Sequence, residues 1–179
     1  ADIPEYAFEK AGVVLNFSTD FLETWGNAVE NARRFADMHA YKNGKKNRFI
    51  HISPHVSLTG AKADRWVVIH PGTEGLVALA IASVIQEENG SHKFLKNYLK
   101  EYVPEKVADA TGVSAEVLRE LAKEVIEHAP LLALGGGNVT ATDQGVETLV
   151  AVNILNAVSG ALDNTIRFYD QATPEGSTH

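Results

Sequence analysis

"HISPHVSLTGAKADRWVVIHPGTEG", residues 51–75, carries three histidines and two prolines beside two apolar runs, "RFIHI" (48–52) and "WVVI" (66–69). Short runs of this kind, rich in β-branched and aromatic residues and separated by polar loop residues, read as two strands. Pro71-Gly72 then makes a turn. Thr73 is placed to cap a helix, and Glu74 in its first turn suits the helix dipole. The helix, "EGLVALAIASVIQEEN" (74–89), is apolar nearly all round as far as Gln86, so it should be a buried crossover ended by Gly90. Strand, loop, strand and buried helix together point to an α/β fold.

The flanking sequence extends the pattern. "AGVVLNF" (11–17) is a continuous apolar run, as in a strand buried on both faces. In residues 24–44, Trp25, Val29, Ala32, Phe35 and Ala36 recur at helical spacing, with Gly44 as the stop. The segment "SHKFLKNYLKEY" (91–102) reads as helical, and Pro104 opens a short helix closed by Gly112. Ser114 caps a helix whose stripe is Val117, Leu118, Leu121, Val125 and Ile126. "PLLAL" (130–134) is a fourth strand, "GGGN" (135–138) a tight turn, and residues 146–160 a mostly buried helix. The tail "QATPEGSTH" (171–179) should fray. The expected fold is α/β: a largely parallel, Rossmann-like sheet flanked by helices in three layers. Residues 1–179 are read as one domain, with a helical insertion or layer at about 91–128.

Composition narrows the function. With 45% hydrophobic and 22% charged residues, the chain is that of a globular protein. A net charge of −7 argues against nucleic-acid binding, and the basic run "KNGKKNR" (42–48) reads as a solvated turn. The absence of cysteine excludes thiolate metal ligands and iron–sulfur clusters within these residues. No apolar run approaches the ~20 residues of a membrane span, and the N-terminus shows no signal-peptide pattern.

In open parallel sheets, ligands bind beyond the carboxyl ends of the strands. Three polar segments qualify here: "FSTDFLETW" (17–25), "SPHVSLTG" (53–60) and "HPGTEG" (70–75). Together they suit one nucleotide-like ligand. A nicotinamide site is excluded, because the first turn, Ser18-Thr19-Asp20-Phe21, has no glycine to admit a pyrophosphate. His51, His55 and His70 lack the neighbouring acidic pair of a catalytic metal site, and read better as one strand and two loop residues. No G-x-S-x-G elbow is present.

The stretch "SPHVSLTGAKADRWVVIHPGTEGLVALAIASVI" (53–85) resembles the molybdopterin oxidoreductases, the dimethyl-sulfoxide reductase family. There a D-P-R-like turn is followed by T-A-x-x-A-D, a short strand and P-G-T-D opening a helix. "VVLNFSTDFLETW" resembles the preceding strand and loop, and "ALGGGN…ETLVAVNILNAVSG" a later segment of the family. "DFLETW" and "SLTGAxAD" look most similar to the molybdopterin-like subunits of quinone-linked membrane complexes, such as alternative complex III and the menaquinone-linked reductases. Some of these have lost the cofactor and serve as scaffolds. Family members are far longer, so the resemblance implies an excised domain.

For the site, the resemblance implies that these loops would hold one molybdopterin guanine dinucleotide. Glu74 would accept from guanine, Gly72 and Thr73 would offer N–H groups, and Asp20, Ser53 and His55 would line the same place. Ser53 stands where the family has Asp, His55 where it has Arg, and Glu74 where it has Asp. Two readings follow. One is a non-catalytic domain packed against other domains of its parent chain and the subunits of a quinone-linked redox complex, with no cofactor held by this fragment. The other is the dinucleotide-holding domain of an active molybdenum oxidoreductase, whose chemistry belongs to the cofactor. In neither is this stretch catalytic alone. An excised domain should expose apolar surface along residues 74–85 and 146–159.

Overall fold

The computed structural model describes residues 4–42, 44–90, 92–137 and 144–168. In chain order its elements are β1 (Pro4–Tyr6), β2 (Val13–Phe17), α1 (Ala28–His39), β3 (Arg48–Ser53), β4 (Arg65–Val68), α2 (Glu74–Asn89), α3 (Leu95–Leu99), α4 (Pro104–Thr111), α5 (Ala115–Glu127), β5 (Leu131–Gly135), α6 (Gly145–Val158) and β6 (Ile166–Phe168). Strands β2 to β5 form one parallel sheet in the spatial order β4-β3-β2-β5. The α/β architecture with helices on both faces of a parallel sheet is the one the sequence implies. The antiparallel pair β1–β6 is an addition that it did not suggest.

Side-chain alternation sorts the strands into two cores. Val13, Leu15, Phe17, Ile50 and Ile52 face α2, α5 and α6. Val14, Phe49, Leu132 and Leu134 face the opposite side, where Phe8, Phe21 and Phe35 close over them. The Phe21 ring lies 5.0 Å from Phe8, 5.4 Å from Phe35 and 5.6 Å from Phe49. Each ring so buried contributes about 1.5–3 kcal/mol. β2 runs through the middle with all five residues buried. α2 is buried from Val77 to Gln86, as expected of a helix apolar nearly all round over that stretch.

Helix ends follow local chemistry. Gly90 and Gly112 terminate α2 and α4 at φ 61 and 72, a conformation glycine adopts without strain. The Ser114 hydroxyl accepts from Val117 N at the start of α5. Thr73 departs from the expected cap: its hydroxyl donates to His70 O at 2.7 Å and reaches no N–H of α2. At φ −105 and ψ 10 its backbone lies outside the extended region in which a capping side chain points along the helix.

α1 also differs from its sequence reading. It begins at Ala28 behind the Asn27 cap and ends at His39, well before Gly44. Its buried residues are Phe35 and Met38, while Ala36 is exposed and Val29 is 84% exposed. Trp25 precedes the helix, so the stripe drawn through it carried the wrong phase. Asp64 ties the sheet to this layer, accepting from Phe49 N at 2.8 Å and meeting His39 Nε2 at 2.9 Å and Lys46 Nζ at 2.5 Å. Burial works against its charge, but the Lys46, His39 and Phe49 bonds hold its carboxyl below the usual range.

β5 has a free edge, which a helix covers. Asn156 of α6 accepts from Ala133 N and donates to Ala133 O, both at 2.9 Å, and so takes the place of a fifth strand. "GGGN" lies partly, and "QATPEGSTH" wholly, outside the described residues.

Candidate functional site at the carboxyl ends of the strands

The chain leaves β2 and β5 in opposite directions across the sheet. The topological switch point, where such sheets bind ligands, therefore lies between the carboxyl ends of these two strands. Its walls are the segment after Phe17 and the turn Gly135-Gly136-Gly137. Sequence reading had favoured the ends of β2, β3 and β4, because strand order is not visible in a linear pattern.

The described part of this crevice is filled by the chain itself. The Thr19 hydroxyl donates to Phe17 O at 3.2 Å and lies 3.4 Å from Gly136 O. The Trp25 indole packs on the glycine turn so closely that a Cβ at Gly136 would meet its Nε1 at 2.5 Å. Tyr6 of β1 closes on the other side, with ring centroids 5.1 Å from Trp25. Gly136 and Trp25 are the site residues that sequence reading missed; the glycine run was the available signal.

Behind this plug the strand ends carry a buried polar network. Asn16 and His51 are register partners on β2 and β3. Asn16 Nδ2 donates to His51 Nδ1 at 2.9 Å and to Thr19 O at 2.8 Å, and Asn16 Oδ1 accepts from Thr19 N at 3.2 Å. An imidazole that accepts at Nδ1 carries its proton on Nε2. That atom has no hydrogen-bond partner and lies against Gly60. Burial pulls the His51 pKa below 6.5, opposed more weakly by Asp20 and the His55 backbone, so the ring is neutral at pH 7.

Ser18 links the strand ends to α2. It sits at φ 54, rare for a residue with a side chain. Its N–H donates to Ile52 O at 3.0 Å, and its hydroxyl donates to Glu74 Oε1 at 2.9 Å. Glu74 is only 5% exposed.

The six residues singled out by resemblance do not share one surface. Ser53 is buried, and its hydroxyl donates to His55 O at 2.6 Å while accepting from His55 N at 3.2 Å. The His55 side chain is exposed. Asp20 is half-buried and uses its carbonyl to receive the N–H groups of Glu23, Thr24 and Trp25. Gly72 and Thr73 line a different cavity, an open groove of about 500 Å³ between α2, α3 and α6 whose apolar walls include Leu76, Tyr98 and Val146. Glu74 points away from it, toward Ser18. The groove is where the exposed apolar surface expected of α6 lies, with Val146 73% exposed.

A guanine dinucleotide needs free donors and acceptors in one concavity. Here the Ser18, Ser53 and Thr73 hydroxyls are engaged within the chain, and the remaining candidates face different ways. The described residues do not fit that group as they stand. Among them, no cluster of three His, Asp or Glu side chains is poised for a metal ion, and no helix is long and apolar enough to cross a membrane.

No protein-family model matches the chain. Over 163 residues, 88% of its length, it is 29% identical to the molybdopterin-binding-like subunit of a menaquinone reductase from Nitratidesulfovibrio vulgaris, and covers 23% of that protein. Over 99 residues it is 27% identical to the molybdopterin-containing subunit of an arsenate respiratory reductase from a Shewanella species, matching 50% of this chain and 10% of that protein. Over 74 residues it is 31% identical to the perchlorate reductase alpha subunit of Dechloromonas aromatica, matching 40% of this chain and 8% of that protein. Among solved structures, acetylene hydratase from Pelobacter acetylenicus shares the fold at a TM-score of 0.76 and 21% identity, over 93% of this chain and 24% of that one. The chain spans less than a quarter of the length of these curated relatives.

Proposed function

We propose that this chain, a relative of the molybdopterin oxidoreductases, is a non-catalytic α/β domain of a larger subunit in a quinone-linked electron-transfer complex. Its role is to pack against the other domains of its parent and against neighbouring subunits. The observation that carries this reading is the internal use of the ligand loops. Trp25 and Thr19 occupy the switch point against Gly136, and Ser18 holds the Glu74 carboxylate. The exposed apolar groove between α2 and α6 supports it, as a face that lacks its cover. The relative matched over most of the chain is itself described as molybdopterin-binding-like and belongs to a menaquinone reductase.

The competing reading, a domain that holds molybdopterin guanine dinucleotide in an active parent, is favoured by the molybdopterin-containing arsenate reductase relative. Calorimetric titration with GDP decides for the isolated chain. The scaffold reading predicts no saturable heat at millimolar nucleotide. Saturable binding that disappears in Glu74→Ala would overturn it. Molybdenum and pterin analysis of the purified parent subunit extends the test to a site that other domains complete; the scaffold reading predicts neither.

A further inference from the structure

A second hollow, of about 430 Å³, lies between the C-terminal half of α2 and the strap that runs from Lys93 through α3 to Val103. Lys93, Lys96 and Lys100 stand on its rim, Leu99 and Ser83 form part of its floor, and Glu87 is the single carboxylate on its wall. In a chain of net charge −7 these three lysines gather around one hollow, and the lysine ion pairs among the described residues are made elsewhere, by Lys42, Lys46 and Lys106. Arg48, Arg65 and Arg119 likewise each reach a Glu carboxylate. Phe94, between the first two lysines in sequence, is 78% exposed.

We propose that this hollow docks an acidic segment of a partner protein, with carboxylates on the lysine row and an apolar side chain against Phe94. Spacings i, i+3 and i+7 put the lysines along one side of the strap over about 10 Å at helical rise. An extended peptide repeats its side chains on one face about every 7 Å, so two or three acidic residues span the row. Carboxylates fit better than a phosphate. The hollow presents exposed ammonium groups, with none of the guanidinium forks that grip phosphate bidentately. It also lies at the C-terminal end of α2, whose partial negative charge opposes a compact dianion more than a row of single charges at the rim. The proposal rests on the packing role argued above only for the presence of a partner; the GDP titration tests that role separately.

The test titrates the chain with an octaglutamate peptide, calorimetrically and by amide chemical shifts, at low and physiological salt. K93E/K96E/K100E is compared with K10E/K62E/K123E, which reverses three exposed, unpaired lysines elsewhere and so matches its net charge. Saturable binding should weaken with salt, fall by roughly tenfold or more in the first variant, and persist in the second. Lys96→Gln should show a partial loss. No binding at low salt, equal loss in both triple variants, or displacement of the peptide by stoichiometric inorganic pyrophosphate would each overturn the proposal.

Discussion

The Ser18 hydroxyl donates to the Glu74 carboxylate at 2.9 Å and so ties the end of β2 to the first turn of α2. The bond comes with a backbone cost at Ser18, whose φ of 54 lies in the left-handed region. Ser18→Ala should remove the donor, leave the buried carboxylate short of a partner, and lower stability by about 1–3 kcal/mol. Ser18→Gly loses the same bond but relaxes the backbone, so it should cost about 1 kcal/mol less than the alanine. Urea denaturation of the three proteins reads the order. If alanine were no worse than glycine, the left-handed strain would play no part.

His51 gives the fold a pH dependence. Burial pulls its pKa below the unfolded value of 6.5, so the unfolded chain binds the proton more readily. The stability it contributes is fully present above pH 6.5 and is lost as pH falls from there toward the depressed folded value. For the single proton the slope cannot exceed about 1.4 kcal/mol per pH unit. His51→Gln should flatten that part of the stability curve. An unchanged slope in the variant would place the dependence elsewhere.

Gly60 and His51 should be energetically coupled. A Cβ at Gly60 would meet the imidazole Cδ2 at 2.5 Å, and both residues are buried. Gly60→Ala should therefore cost about 1–3 kcal/mol through overpacking. In a His51→Ala background the same change should cost much less. Additive losses across this double-mutant cycle would show that the ring does not set the need for glycine.

Much of the fold was legible in the sequence, for a reason particular to buried parallel sheets. Their strands are continuous apolar runs, so "AGVVLNF" and "PLLAL" announced β2 and β5, and the nearly all-apolar run before Gln86 announced α2. β1 and β6 are three residues each, and neither "PEY" nor "IRF" carries a period. The phase of α1 was misread because Trp25 sits in the turn before it and packs on Gly136. The resemblance in residues 53–85 pointed to the molybdopterin oxidoreductases, and the curated relatives bear that out. The site was less accessible. That Ser53 would fold onto His55 and Ser18 onto Glu74 depends on backbone angles, which no residue pattern encodes.

The free edge of β5 yields the most exacting test of the packing. Asn156 is 1% exposed and satisfies both the N–H and the C=O of Ala133. Neither group has water to turn to if the amide is lost, because Ala133 is itself 1% exposed. Asn156→Ala should thus cost about 2–4 kcal/mol, more than one ordinary hydrogen bond, since two buried backbone groups are orphaned together. Asn156→Leu should fare no better despite its apolar bulk, because the penalty is polar rather than volumetric. Asn156→Gln keeps the chemistry but displaces it by one methylene, and should recover part of the loss. Hydrogen exchange at the Ala133 amide separates the two causes. In Asn156→Leu it should exchange faster than its β5 neighbours, whereas uniform protection along β5 would mean that packing, and not edge pairing, is what Asn156 supplies.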